Sequence, residues 1–149
     1  MEINLPGPLA ELTAAFRRYE AALQSNKPEI LDDLFLISPV TIRYGVAENL
    51  YGHDEIKAYR ARRAQGGGAA KRRVVREVIT TFGHDIGTTN IEYVREATGL
   101  PGRQSQTWVR TSDGWRIIAA HVSLLDEIAR RGLAVVQAEI LRVMACGGA

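Results

Sequence analysis

The chain has 149 residues, 46% of them hydrophobic and 24% charged, with a formal net charge of +2. That is the size of one domain that buries about two thirds of its unfolded surface, so neither disulfides nor a metal is needed to hold it together. Near-balanced charge gives no bulk electrostatic reason for a nucleic-acid or membrane partner. The single cysteine, Cys146, excludes an internal disulfide framework and a Cys-rich metal site.

The opening stretch, "MEINLPGPLAELTAAFRRYE", carries acids and lacks the basic-then-apolar order of a secretory signal. No run approaches the roughly 18 apolar residues of a membrane span, and a reducing cytoplasm is the expected setting. Residues 8 to 25 read as a helix, with Leu9, Leu12, Phe16, Tyr19 and Leu23 on one stripe and Pro8 suited to its first turn. "PEILDDLF" is a short second helix, and 36 to 46 is strand-like. "YGHDEIKAYRARRAQ" returns to helix, with Ile56 and Tyr59 inward and the arginines outward.

Three glycines in "QGGGAA" end that helix. Beyond Lys71 the pattern becomes β. "RRVVREVITTFGH", "TTNIEYVREAT", "RQSQTWVRT" and "WRIIAAHVSLL" read as antiparallel strands, the last two joined by an Asp-Gly hairpin. Helices first and strands afterwards is an α+β order. It predicts a strongly curved antiparallel sheet with N-terminal helices over its concave face and a pocket between the layers. The domain is expected over residues 1–125, followed by an amphipathic helix or tail over 126–149.

With Asp113-Gly114 as a two-residue turn, Gln106 faces His121, Gln104 faces Ser123, and Trp108 faces Ala119. Alternation then puts Gln106, Trp108, His121 and Ser123 on one face, as the polar wall of a pocket. His121 is the best acid/base candidate by residue type, weighed against a core histidine bonded to Gln106. His53 reads as a helix cap and His84 as a turn residue. HExxH, P-loop, dinucleotide and GxSxG patterns are all missing, so no metal or cofactor is expected. The basic belt of Arg60, Arg62, Arg63, Lys71, Arg72, Arg73 and Arg76 reads as solvated surface.

Arg43 stands inside an apolar run, where a guanidinium needs a partner: solvent, Glu48, Asp32 or a substrate carboxylate. Tyr19 lies on the inward stripe of the first helix, which brings it to the same pocket.

"RYGVAENLYG" (43–52), "FGHD" (82–85) and "GRQSQTWVRTSDGWRIIAAHVSLL" (102–125) resemble the AtzH-like family, a SnoaL-like branch of the nuclear-transport-factor-2-like superfamily. The resemblance runs from about Leu9 to Leu125. It implies a cystatin-like cone, usually dimeric, and a cytoplasmic hydrolase of nitrogen catabolism converting 1,3-dicarboxyurea to allophanate. Tyr19 and Arg43 stand where that family places its catalytic pair, and Gln106, Trp108, His121 and Ser123 complete the expected substrate wall. The expected ligand is a small carboxylate, with no cofactor. The alternative is a non-catalytic binding or association domain accompanying an amidase. A ketosteroid-type isomerase fits less well, because no carboxylate base lies on the inferred face.

Overall fold

In a computed structural model of the chain, the described residues are 1–125; the expected C-terminal helix lies outside them. Pro6 and Pro8 occupy the first turn of α1 (Pro6–Gln24), where a missing N–H costs nothing. Its stripe of Leu12, Phe16, Tyr19 and Ala22 is buried. Next come α2 (Pro28–Leu34), β1 (Ile42–Tyr44), β2 (Asn49–Tyr51) and α3 (His53–Gln65). Four long strands complete the domain: β3 (Arg72–Phe82), β4 (Ile86–Arg95), β5 (Pro101–Thr111) and β6 (Gly114–Leu124).

The six strands form one curved, unclosed sheet in the order β2-β1-β6-β5-β4-β3. The strand-like run of 36 to 46 contributes only the three residues of β1, which pair parallel with β6; every other pairing is antiparallel. Helices α1 and α2 pack on the concave face, where Leu12, Phe16, Leu34, Phe35, Trp108 and Ile117 form the driest part of the core. Each such side chain contributes about 1.5–3 kcal/mol by leaving water.

Two bulges bend the sheet, one between Val74 and Arg76 in β3 and one at Thr107/Trp108 against β6. The second corrects the expected register. The hairpin closes with Thr111 opposite Gly114, so Ser112-Asp113 is the turn, and Trp108 pairs with Ile117. One residue of β6 is then skipped, and Thr107 pairs with Ala119, Gln106 with Ala120, and Ser105 with His121. A one-residue slip moves every following side chain to the other face. His121 and Ser123 therefore do not share a face with Gln106.

Candidate active site

Arg43 is the middle residue of β1, between Leu50 of β2 and Ala120 of β6, on the concave face. It is 8% exposed, and one of its five N–H groups bonds the Glu48 carboxylate across the β1–β2 turn. Among the described residues the other four find no acceptor. Its guanidinium also lies over the Tyr59 ring, 5.2 Å from the centroid. Of the internal partners considered, Glu48 is the one found; Asp32 binds Arg60 instead, at 2.9 Å.

Glu48 reaches Arg43 because residue 45 has no side chain: a Cβ there would overlap the Glu48 carboxylate. Burial works to raise the Glu48 pKa, but hydrogen bonds from Arg43 and Tyr59 and the Arg43 charge outweigh it, so the carboxyl titrates below its ordinary range. Gly45→Ala should leave the fold intact and push the Glu48 carboxylate off Arg43. The Glu48 side-chain carbon, followed by NMR across a pH titration, should then move up toward the ordinary carboxylate range; an unshifted titration would remove this account of Gly45.

A cavity of about 290 Å³ opens in front of this pair, between α1, the end of α3 and the concave sheet. Tyr19 lines it, stacked on Phe16 at 6.4 Å, with its hydroxyl donating to Gln104 Oε1 at 3.4 Å. The same oxygen accepts from Arg72 at 3.1 Å. Arg72 is held by both oxygens of Glu20 and lies 4.6 Å from the Tyr93 ring centroid. That ring is seated over Gly102, its cross-strand partner, where any Cβ would collide with it. Burial opposes the Arg72 charge, yet Tyr19 and Glu20 more than compensate, leaving its pKa above the usual guanidinium value. Arg63 and Arg95 also line the cavity, against a single carboxylate, Glu48.

Tyr19 and Arg43 thus meet at one cavity. Gln106 and Trp108 share the concave face but lie beneath the cavity: Trp108 Nε1 donates to Thr89 Oγ1 at 3.1 Å, and Thr89 donates to Gln106 Oε1 at 2.8 Å. His121 is exposed on the convex face, edge-on to Tyr44 with centroids 6.0 Å apart, and Ser123 follows it there. His53 does not cap α3: its N-cap is Gly52, and the buried imidazole Nε2 bonds the Asp32 carbonyl.

Two arginines read as solvated are buried. Arg60 lies 4.1 Å from the Phe35 centroid, and its burial lowers its pKa despite Asp32. It sits four residues after Ile56, hence on the same helix face. Arg72 and Arg73 are adjacent in a strand, and alternation requires one of the two to face inward. Those spacings were the available signals.

The AtzH-like family model matches residues 1–128. The chain belongs to the AtzH-like family. The chain is 48% identical to a crystallised protein of unknown function from Pectobacterium atrosepticum, assigned to the DUF3225 family, with TM-score 0.78; the match covers 83% of this chain and 95% of that one. A cystatin-like fold protein from Burkholderia xenovorans matches at 47% identity over 83% and 96% of the two chains, also with TM-score 0.78. An NTF2-like superfamily protein from Salmonella enterica shares the fold at 24% identity, with TM-score 0.64 over 79% and 91%. A comparison with curated proteins finds no match. Family and fold together mark this AtzH-like chain as a small-molecule-binding or catalytic domain. Among the described residues no helix is long and apolar enough to cross a membrane.

Proposed function

We propose that the cavity is the active site of an amidohydrolase that removes one carboxyl group from a small carboxylated urea, of the type 1,3-dicarboxyurea to allophanate. The observation that carries this reading is Arg43, buried in the wall of the cavity that Tyr19 also lines, with four N–H groups that find no acceptor among the described residues. In the reaction the terminal N–CO₂⁻ bond breaks, carbon dioxide leaves, and the electron pair stays on nitrogen, delocalised onto the urea oxygen. One proton delivered to that nitrogen converts dianion plus proton into monoanion plus carbon dioxide, and hydration of the carbon dioxide to bicarbonate takes up the water of the net hydrolysis and returns the proton.

Arg43 supplies N–H donors where the negative charge collects, in a wall already shaped for them. Tyr19 supplies the O–H that orients the urea and passes a proton toward nitrogen. No activated nucleophile is required, because the carbamate loses carbon dioxide without one.

The test is carbon dioxide release and allophanate formation, with 1,3-dicarboxyurea generated in situ by a carboxybiuret hydrolase. Wild type should exceed the spontaneous rate, and Tyr19→Phe should lose about 10²-fold of that acceleration while keeping the wild-type melting temperature. Absence of acceleration by folded wild type would end this reading. It would favour a non-catalytic ligand-binding domain accompanying an amidase, a reading the Arg43–Glu48 pair supports by offsetting the Arg43 charge inside the protein.

A further inference from the structure

Arg43 and Arg72 come from strands four steps apart in the sheet, a separation of about 19 Å along its hydrogen-bonding direction. Curvature nevertheless brings both into the lining of one cavity. Their settings match. Each arginine residue is 8% exposed, and its guanidinium lies over a tyrosine ring and holds an internal carboxylate, Glu48 for one and Glu20 for the other. Arg72 spends three N–H groups, two on Glu20 and one on Gln104; among the described residues its remaining two find no acceptor. Beside it the Gln104 amide nitrogen, in a residue only 2% exposed, also lacks an acceptor. A buried donor without an acceptor costs about 1–3 kcal/mol, and a bound oxygen would recover that.

We propose that Arg72, with Gln104, is a second anion grip, taking the far carboxylate of a dianionic ligand whose other end lies at Arg43 and Tyr19. The charge balance of the wall agrees with this. Arg43 and Arg72 are each offset by a glutamate, whereas Arg63 and Arg95 line the cavity and make no salt bridge among the described residues. Two positive charges are left over, the complement of a dianion. Under the proposed reaction, on which this assignment builds, Arg72 holds the carboxylate that survives into the product. Arg43 is left facing the end that reacts, so binding is kept separate from the place where charge changes.

The assignment is tested by calorimetric titration at fixed ionic strength, with malonate and succinate as dianionic probes and acetate and propionate as monoanionic ones. Wild type should prefer a dicarboxylate by at least about tenfold. Arg72→Gln combined with Glu20→Gln removes the grip without stranding a buried carboxylate. It should reduce the preference to about twofold or less while leaving monocarboxylate affinity in place. Arg72→Lys keeps a cation against Glu20 but loses the planar fork, and should lower the preference at least about threefold even if the double variant fails to fold. Wild type without a dicarboxylate preference, or either folded variant retaining it in full, would overturn the assignment. Because these probes do not react, a protein that binds them selectively yet never turns over a carboxylated urea would retain the second grip and lose the hydrolase.

Discussion

Arg43→Ala should reduce carbon dioxide release from 1,3-dicarboxyurea by 10²–10³-fold, close to the spontaneous rate. The magnitude is that of removing a donor aimed at a developing negative charge in a water-poor site, about 3–4 kcal/mol of transition-state stabilisation. The effect should appear in kcat as well as KM, because the unpaired N–H groups of Arg43 gain most when charge moves onto the urea. Stability is expected to change far less. Glu48 would lose its partner, but its side chain is 21% exposed on a surface turn and can swing into water.

Arg43→Lys separates the two roles of the guanidinium. It retains a cation for Glu48 but loses the planar fork and the stacking on Tyr59. A drop of about 10-fold or more, without loss of thermal stability, is expected. Single-turnover rates on the two variants, with melting curves alongside, check both statements. Wild-type rates in folded Arg43→Ala would mean that the pair with Glu48 is structural and that the reaction, if any, lies elsewhere.

What was legible beforehand follows from how locally each feature is encoded. The stripe Leu12-Phe16-Tyr19 fixes which face of α1 is buried within four turns, and that placed Tyr19 in the cavity. Arg43 was legible as an anomaly, a cation in a β-forming run. Its carboxylate partner lies five residues away, close enough to be considered from the sequence. The outward position of His121 was not legible, because it depended on a single skipped residue in β6 that no turn residue announces. The Ser112-Asp113 turn moves the register by two and preserves the faces; the bulge moves it by one and reverses them. Arg72 was obscured for a different reason. Its partners Glu20, Gln104 and Tyr93 are 52, 32 and 21 positions away, so its burial is a tertiary fact written in four separate segments. The adjacency of Arg72 and Arg73 offered the only local hint.

Trp108→Ala should cost about 3–5 kcal/mol of stability, a large share of the 5–15 kcal/mol typical of a domain. Trp108 is fully buried, the largest such side chain among the described residues. It belongs to the core cluster with Leu12 and Phe16 of α1 and Leu34 of α2, next to the bulge between β5 and β6. Removing it opens a cavity and leaves the Thr89 hydroxyl oxygen without the indole N–H it accepts, while Thr89 still donates to Gln106 Oε1. For a chain of this length the melting temperature should fall by roughly 10 °C. Trp108→Phe, which keeps most of the volume and loses the N–H, should cost nearer 1–2 kcal/mol. The sequence alone suggested that this tryptophan shapes the ligand site, and the two readings part at one measurement. Below its melting transition Trp108→Ala should bind malonate within about twofold of wild type, because the cavity wall is made by Tyr19, Arg43, Arg72 and Gln104. A variant that keeps its stability and loses the ligand would return Trp108 to the binding site, and the fold would owe its core to other residues.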